Sequence, residues 1–518
     1  MNGAEALVKT LEKAGIEVCF ANPGTSEMHL VGALDKSTAI RSVLVLFEGV
    51  ATGAADGYAR MSGKPAATLL HLGPGFANSL ANLHNARRAL SPMLNIVGDH
   101  ATFHIQYDTP LTSDIGAYAE AAESWWRRSG SASKLSADAA EAIATARDYP
   151  GRIATLIVPA DHAWGEAASP AAAEPGAGPR KPTADLIEEM AEKCRSGKAA
   201  LLLAGRSLHE RGLMAAGRIR DTAGVRLFSE TFAARLERGA GRVATERMPY
   251  FADWARERLK EVKHLLLVGA QAPTSFFAYE GQPSSAVPEG CEVTVLAAPD
   301  ENGEAALEAL AERLGATRGP KLQEALLPEP PTGELTAEAV AAAVARALPP
   351  EAVVSDEAAT SGLPLFPATA GAAPHTWLNL TGGAIGQGLP LAVGAAIACP
   401  HRKVVNLQAD GSALYTVQAL WTAARERLDI VTVLYANHTY EILKLELMKT
   451  GQAESAGATA KSLLTLAPPK IDWVSIAKGF GVEAVRAERA DDFAAAFDKA
   501  MTRKGPYLIE AAIKPLFP

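Results

Sequence analysis

Residues 409–439 read ADGSALYTVQALWTAARERLDIVTVLYANHT, and this stretch decides the fold of the last third of the chain. A helix pattern and an apolar strand pattern separate two polar loops, one at Asp410 and one at Asn437. Asn437 follows Asp410 by 27 positions, which fits one helix and one strand. The two loops are therefore predicted at the carboxyl ends of neighbouring parallel strands.

The same two loops carry oxygen donors that suit a magnesium ion. The Asp410 carboxylate, the Asn437 amide oxygen and the Thr439 backbone carbonyl are hard ligands of the kind that Mg²⁺ selects. They leave the other octahedral positions to water and a diphosphate. An Asp-Gly turn before a helix is by itself a common N-cap, but the second loop at this distance favours a metal site. Gly411 is expected to allow a tight turn whose backbone N–H groups face phosphate.

A second set of candidate residues lies near the N-terminus. Residues 43–48, VLVLFE, form an apolar strand pattern that ends on Glu48, and residues 49–60, GVATGAADGYAR, form a small-residue helix pattern. Raising a glutamate pKa from about 4.3 to about 7 costs roughly 3.7 kcal/mol, so a carboxyl group placed in apolar surroundings indicates a purpose. The alternative is a Glu48 side chain that faces solvent or pairs with Arg60.

Together these motifs resemble those of the thiamine diphosphate (ThDP) enzymes. The metal motif of that family reads Gly-Asp-Gly and, one helix and one strand later, Asn-Asn. This chain has Ala409 and Ala436 at the first position of each part, and neither change removes a metal ligand. The resemblance implies that Glu48 bonds the cofactor's aminopyrimidine ring and shifts it to the imino tautomer, which takes the proton from the thiazolium C2. Phe47 stands where many members have His.

The resemblance extends to the segment 381–390, TGGAIGQGLP, in which one bulky apolar residue lies among glycines. In the family this residue sits beneath the cofactor and bends it into a V, and Ile385 is the match. The resemblance further assigns Gly383, Gly411 and Ser412 to cofactor binding.

Within the family the chain looks most similar to benzoylformate decarboxylase and its acetolactate synthase-like relatives. The active-site histidine and hydroxyl residue that flank the substrate carboxylate map by position to His71 and Thr25. A second histidine belongs in the middle of the chain, but residues 273–281 read PTSFFAYEG without one. This departure leaves the substrate and the protonation step open. For His71 the alternative is a strand-end imidazole that is satisfied by backbone groups.

The resemblance implies a Mg²⁺- and ThDP-dependent enzyme that decarboxylates a 2-oxo acid without oxidation, through a C2-ylide and an enamine. The first alternative is an acetolactate synthase-like carboligase that joins the enamine to a second carbonyl. Another is a non-catalytic, regulatory relative that binds ThDP, which the changes at Ala409 and Ala436 keep open. FAD is not expected, and no Gly-x-Gly-x-x-Gly fingerprint supports a nucleotide-dependent oxidoreductase.

The chain of 518 residues is long enough for three domains. Two linkers rich in Pro, Gly and Ala, residues 167–179 and 326–333, divide it. We expect a pyrimidine-binding domain at 1–166, a central Rossmann-like domain at 183–325 and a diphosphate-binding domain at 334–518. Strand and helix patterns alternate in each segment, so the predicted fold class is α/β, with three doubly wound domains and mainly parallel sheets.

Charge and composition exclude several classes of partner. A net charge of −8 gives no electrostatic footprint for nucleic acid or an anionic membrane. Four scattered cysteines show no metal-binding spacing and fit a reducing cytosol, and no apolar run is long enough for a membrane span. The sequence therefore predicts a cytoplasmic protein that acts on a small molecule. The resemblance implies a homodimer or homotetramer with active sites at the subunit interface.

Overall fold

The computed structural model describes residues 1–516, which form three sheets flanked by helices. Within these residues, every ladder between neighbouring strands is parallel except one. The predicted α/β class with mainly parallel sheets is confirmed. The described part of the chain has no helix long and apolar enough to cross a membrane.

The first sheet is built from the N-terminal segment. Its strands are β1 (Val18–Asn22), β2 (Arg41–Leu44), β3 (Ala66–Leu70), β4 (Met93–Asp99), β5 (Trp125–Arg128) and β6 (Ile153–Pro159). Its helices are α1 (Gly3–Lys13), α2 (Met28–Asp35), α3 (Glu48–Ser62), α4 (Leu72–Arg88), α5 (Ile115–Ala121), α6 (Leu135–Ala146) and α7 (Ala160–Trp164), with 3₁₀ turns at Thr25–Glu27 and Ile105–Tyr107. The strand order is β2-β1-β3-β4-β6-β5.

The second sheet comes from the middle of the chain. The middle segment contains the strands β7 (Ala199–Leu203), β8 (Arg226–Ser229), β9 (Leu236–Arg238), β10 (Glu246–Arg247), β11 (His264–Val268) and β12 (Glu292–Ala297). Helices are α8 (Ala184–Arg195), α9 (Glu210–Ala223), α10 (Ala252–Leu259) and α11 (Gly303–Arg313), with a 3₁₀ turn at Gly205–Leu208. The order is β10-β8-β7-β11-β12, and β9 leaves this sheet to join the third one.

The third sheet carries both loops of the proposed metal site. Its strands are β13 (Ala352–Glu357), β14 (His375–Asn379), β15 (Val404–Ala409), β16 (Ile430–Ala436), β17 (Glu483–Ala487) and β18 (Tyr507–Ala512), in the order β17-β18-β16-β15-β13-β14-β9. Its helices are α12 (Ala337–Ala347), α13 (Leu365–Ala368), α14 (Gly388–Ala398), α15 (Asp410–Ala413), α16 (Ala419–Arg425), α17 (Glu441–Lys449), α18 (Ala458–Leu463), α19 (Trp473–Gly479) and α20 (Ala490–Thr502), with a 3₁₀ turn at Ala359–Gly362.

Strands β15 and β16 are parallel neighbours, with Ala409 opposite Tyr435. The prediction that the Asp410 and Asn437 loops lie side by side is therefore confirmed. The expected domain boundaries stay a prediction, and β9 shows that the central segment also contributes to the third sheet, where it pairs antiparallel with β14.

Helices α3 and α14 join the first and third sheets through a close backbone contact. A Cβ atom at Gly57 would lie 2.1 Å from the Leu391 carbonyl oxygen, and one at Gly394 would lie 1.8 Å from that of Ala54. The two helices can approach this closely only because glycine stands at both positions. Helix α14 is apolar all round, as expected for a helix buried on every face.

A buried ion pair lies beside this helix contact. The Arg60 guanidinium is 2.6 Å from the Asp56 carboxylate, and both side chains are almost fully buried. Arg60 also donates to the Asn379 carbonyl at 2.8 Å, and Gln387 Nε2 donates to Asp56 at 2.6 Å. These bonds attach α3 to the segment that leads into α14.

The change Arg60→Leu should destabilise the fold because it leaves the Asp56 carboxylate buried without its cation. We expect the free energy of unfolding, measured with urea, to fall by about 3–5 kcal/mol. Arg152→Leu is the matched control, since Arg152 forms an exposed pair with Asp148 at 3.7 Å and should have little effect. An Arg60 variant as stable as the parent would contradict a structural role for this pair.

Candidate functional site

The Asp410 carboxylate joins the two loops of the proposed metal site. Its Oδ1 accepts the Gly411 backbone N–H at 2.8 Å and its Oδ2 accepts that of His438 at 2.7 Å. The Asn437 amide oxygen accepts the Thr439 N–H at 3.1 Å, while its Nδ2 donates to Glu441 at 3.2 Å. Asp410, Asn437 and Thr439 are all buried. The structure thus brings the three candidate ligands together at one edge of the sheet.

The donor set at this point fits a divalent cation. Burial raises the pKa of Asp410 to about 6, the N–H groups of His438 and Gly411 lower it, and the Glu441 carboxylate raises it. The nearest basic atom is His438 Nδ1, which lies 3.9 Å from the Asp410 carboxylate and has no hydrogen-bond partner in residues 1–516. A buried carboxylate with neutral donors around it leaves its charge available to a metal ion. The described residues contain no group of three or more His, Cys, Asp and Glu side chains that could hold a metal ion. The proposed set differs from such a group, since it consists of one carboxylate, one amide oxygen and one backbone carbonyl.

Gly411 is required for a reason other than the expected one. Its φ angle is not in the left-handed range, but a Cβ atom there would lie 2.5 Å from the Tyr440 ring. The glycine therefore lets Tyr440 pack onto the start of α15. Ser412, also assigned to the cofactor, donates its hydroxyl to the Ala409 carbonyl at 3.1 Å and accepts from Gln408 at 2.8 Å.

The segment 381–388 is held by a carboxylate that no sequence motif singled out. Glu357 Oε1 accepts the N–H groups of Gly386 at 2.6 Å and Gln387 at 3.3 Å, and Oε2 accepts that of Gly388 at 2.6 Å. Gln408 donates to the same Oε2 at 2.9 Å. Burial raises the pKa of Glu357, and these hydrogen bonds lower it. The carboxylate thus fixes the turn that presents Ile385.

Ile385 and Gly383 lie at the partly exposed edge of this turn. Gly383 has φ +78°, which favours glycine, and a Cβ atom there would lie 2.8 Å from the Phe276 ring. The central segment that lacks a histidine therefore places an aromatic ring against the proposed cofactor loop. Further along, the Tyr279 hydroxyl donates to the Glu446 carboxylate of α17 at 2.8 Å.

Glu48 is buried at the start of α3, with 5% of its surface exposed. Strand β2 ends at Leu44, so Glu48 is a helix residue and not the last strand residue that the pattern predicted. Asn22 Nδ2 donates to Oε1 and Asn78 Nδ2 donates to Oε2, each at 3.0 Å. Both alternatives for Glu48 are wrong: its burial contradicts a solvent-facing carboxylate, and the pairing of Arg60 with Asp56 contradicts a pair with Arg60.

His71 is oriented by a carboxylate and not by backbone groups. Its Nδ1 lies 2.7 Å from Glu27 Oε2 and 3.4 Å from the Ser26 hydroxyl. Glu27 is fully buried and also accepts the Gly24 N–H at 2.7 Å. Because Nδ1 faces Glu27, Nε2 is the ring nitrogen that remains for a substrate, on a side chain that is 24% exposed. Thr25, the predicted hydroxyl partner, is exposed, whereas Ser26 contacts the imidazole.

Three residues with side chains take left-handed backbone conformations beside these groups. They are Leu72 with φ 49°, Ala359 with φ 51° and His438 with φ 56°. They lie next to His71, in the 3₁₀ turn that contains Ser361, and next to Asn437; the Asn437 amide is 3.4 Å from the Ser361 hydroxyl. Such conformations cost of order 1–3 kcal/mol each, and they persist where the surrounding structure holds a site in place.

The structure assembles two half-sites. One contains Glu48, and the other contains Asp410, Asn437 and Thr439. Among residues 1–516, no hydrogen bond or ion pair joins Glu48 or His71 to the three candidate ligands. The first and third sheets instead meet through α3 and α14.

Several polar residues that shape the half-sites were missed from the sequence: Asn22, Glu27, Asn78, Glu357 and Ser361. Glu357 is the last residue of strand β13, and Asp410 directly follows strand β15. An acidic residue at a strand end is therefore a signal that could have identified Glu357. Asn22 also ends a strand, whereas Glu27, Asn78 and Ser361 lie in 3₁₀ turns or a helix and their contacts depend on the fold.

Comparisons with known proteins agree with this geometry. The N-terminal domain of the thiamine pyrophosphate enzyme family, described as a TPP-binding domain, matches residues 1–116, and the C-terminal TPP-binding domain of that family matches residues 366–511. The matches contain both half-sites.

Two curated relatives cover almost the whole chain. A Mycobacterium tuberculosis protein with the provisional name acetolactate synthase large subunit IlvX is 50% identical over 517 residues, which is 100% of each chain. Benzoylformate decarboxylase of Pseudomonas aeruginosa is 29% identical and covers 99% of each chain. Among solved structures, the thiamine diphosphate-dependent 4-hydroxybenzoylformate decarboxylase of Rhodococcus jostii RHA1 has a similar fold, with a TM-score of 0.85 at 24% identity over 99% of each chain.

The change Glu357→Gln should loosen the turn at 386–388 because an NH₂ group would replace one of the two acceptor oxygens. We expect a loss of about 1–3 kcal/mol in the free energy of unfolding and faster hydrogen exchange at Gly386 and Gly388. Glu338→Gln, at an exposed position of α12, is the control and should change neither. Unchanged exchange in the Glu357 variant would show that the carboxylate does not hold this turn.

Proposed function

Since this chain belongs to the thiamine pyrophosphate enzyme family, we propose that it uses ThDP and Mg²⁺ to decarboxylate a 2-oxo acid without oxidation. The observation that carries the proposal is the buried Glu48 carboxylate, which is held by two amide donors and has no cationic partner within 4.0 Å among residues 1–516. ThDP supplies, when bound, a thiazolium carbon that adds to the 2-oxo carbonyl and takes up the electron pair left by CO₂.

The metal half-site supports the anchoring of a diphosphate. Asp410, Asn437 and the Thr439 carbonyl would hold the Mg²⁺, and the N–H bonds to Asp410 keep both loops in place for it. Ala409 and Ala436 precede these ligands without displacing them. Both alanines therefore fit a functional metal site, which argues against a relative that has lost turnover.

Glu48 has the geometry of a group that bonds a cofactor nitrogen and holds a proton there. Asn22 and Asn78 fix both oxygens without neutralising the carboxylate, and burial excludes water from it. His71, oriented by Glu27, presents Nε2 as a group that can receive or return a proton near the substrate. Ser26 supplies a hydroxyl group beside it, and the predicted Thr25 is the preceding, exposed residue.

Assembly of two chains would complete the site. Glu48 and Asp410 are not joined within one chain, and exposed apolar side chains lie next to both: Leu46 beside Glu48, and Leu414 and Tyr415 after Asp410. Apolar groups of this size at a half-site favour burial by another subunit. We propose a homodimer or homotetramer in which the first segment of one protomer faces the third segment of its partner.

A carboligase is the second candidate, and a specific observation favours it. The central segment places Phe276 against Gly383, where the family resemblance leads one to expect a histidine. With one fewer proton donor, attack on a second carbonyl would compete better with protonation. The relative that is 50% identical carries the name of an acetolactate synthase subunit.

The test is a panel of 2-oxo acids, including pyruvate and benzoylformate, incubated with ThDP and Mg²⁺ while CO₂ and organic product are both measured. An aldehyde product supports the decarboxylase and a 2-hydroxy ketone supports the carboligase. Cofactor binding without CO₂ release from any acid would instead identify a non-catalytic relative.

The change Glu48→Gln should keep ThDP binding, measured by calorimetry, but lower kcat at least tenfold, which corresponds to about 1.4 kcal/mol in the barrier. The amide can still bond a ring nitrogen but cannot hold the proton. Glu120→Gln, exposed on α5, is the control. Turnover equal to the parent would remove Glu48 from the mechanism.

For His71, we expect His71→Ala to slow CO₂ release from benzoylformate while ThDP affinity stays the same. Glu27→Gln should reproduce part of this loss, since it removes the charge that orients the imidazole. His401→Ala, at an exposed position after helix α14, is the control. Kinetics unchanged by His71→Ala would assign that imidazole a structural role.

A further inference from the structure

A cavity of about 420 Å³ lies where the chain passes from the third sheet to the second one. Strand β9 is the edge of the third sheet and β10 is the edge of the second, and the cavity opens between them and α13. None of the candidate active-site residues lines it. The cavity is therefore separate from both half-sites, and any ligand bound in it would be independent of the proposed function.

Its deepest charged group is Arg238, which is only 7% exposed. Nη1 donates to the Thr369 hydroxyl at 2.6 Å and Nη2 donates to the Phe366 carbonyl at 2.5 Å. The guanidinium also lies over the Phe366 ring, 3.7 Å from its centre. In the described part of the chain, no carboxylate lies within 4.0 Å of this group, so its charge has no direct partner.

Two more arginines line the same cavity. Arg247 donates Nε to the Thr231 carbonyl at 2.7 Å, and Arg258 is exposed at the end of α10. Neither forms an ion pair within residues 1–516. The acid that lines the cavity, Glu246, is bound by Arg226 at 2.7 Å and cannot neutralise them.

Burial and the neighbouring arginine affect the pKa of Arg238. Burial lowers its pKa to about 9, and the positive charge of Arg247 lowers the pKa further, while the Asp356 carboxylate raises it. Burial also lowers the pKa of Arg247. An anion in the cavity would relieve the repulsion between these cations and replace the lost hydration.

A second cavity of about 540 Å³ continues the first one, since Pro249 and Arg258 line both. It is bordered by Trp254, whose indole is exposed at 55% on the surface of α10. The two cavities together form a groove with guanidinium groups at one end and an uncovered aromatic face at the other.

We propose that this groove binds an organic phosphate that carries a planar ring, such as a nucleotide, with the phosphate between Arg238, Arg247 and Arg258 and the ring on Trp254. Guanidinium forks bind phosphate in a bidentate manner, and a phosphate dianion balances several cations better than a carboxylate does. Arg226 and Lys260, which line the outer cavity, are already paired with acids and would add little.

The outer part of the groove lies near the amino ends of the second sheet's strands, since Arg226 begins β8 and Arg258 lies at the end of α10, just before β11. Arg247 lies further along, opposite Ser229. Glycine-rich nucleotide motifs bind at the opposite, carboxyl ends of strands. The absence of such a motif in the sequence is therefore compatible with this site.

The experiment is calorimetric titration of the ThDP- and Mg²⁺-saturated protein with adenosine 5′-monophosphate, inorganic phosphate and adenosine. Saturation prevents the probes from entering the cofactor site. We expect the monophosphate to bind at least tenfold more tightly than inorganic phosphate or adenosine, and its affinity to fall with added salt. No heat with the monophosphate, or equal affinity for phosphate alone, would overturn the proposal.

Variants locate the binding to the groove. Arg258→Gln and Arg247→Gln should each weaken binding of the monophosphate at least tenfold, and Trp254→Ala should weaken it without changing the affinity for inorganic phosphate. Arg256→Gln is the matched control because Arg256 lies on the same helix but bonds the Pro283 and Ser285 carbonyls, outside the groove. Arg258 and Trp254 are exposed, so their variants remain informative if the Arg247 variant does not fold. Binding unaffected by both exposed-site changes would place the ligand elsewhere and overturn the assignment.

Discussion

The backbone contact between α3 and α14 is the constraint on which the arrangement of the molecule depends. Glu48 is the first residue of α3, and the turn that carries Ile385 leads directly into α14. Because Gly57 and Gly394 allow the helices to touch, one helix pair positions both Glu48 and the turn that carries Ile385. The buried Asp56–Arg60 ion pair and Gln387 then hold the two helices in this position.

Both half-sites hold carboxylates with neutral donors. Glu48 is bonded by two amides, Glu357 by three backbone N–H groups and Gln408, and Asp410 by two backbone N–H groups. Neutral hydrogen bonds keep a carboxylate in place without cancelling its charge, whereas a lysine or arginine would do both. The bonds to Asp410 and Glu48 are therefore compatible with the proposed roles of these carboxylates in metal and cofactor binding.

The strands of the second sheet lie outside both matched family domains. The matched family domains cover residues 1–116 and 366–511, which contain the half-sites, and the second sheet lies between them. This segment brings Phe276 to the edge of Gly383 and ties Tyr279 to α17. The matched family domains thus contain both proposed half-sites, and the central segment brings an aromatic side chain to the edge of the proposed cofactor turn.

The sequence by itself determined the α/β class and the two adjacent loops at Asp410 and Asn437, because strand and helix periodicity is local. It also indicated a carboxyl group in apolar surroundings at Glu48, although β2 ends at Leu44 and Glu48 begins α3. It did not reveal that Glu27 orients His71, that Glu357 pins the turn at 386–388, or that Gly411 makes room for Tyr440. Each of these contacts joins residues far apart in the chain, or depends on a close approach that no local pattern records. The Asp56–Arg60 pair is an i, i+4 contact within α3, whereas Asn22 and Asn78, which donate to Glu48, come from other elements and reach it only through the tertiary structure.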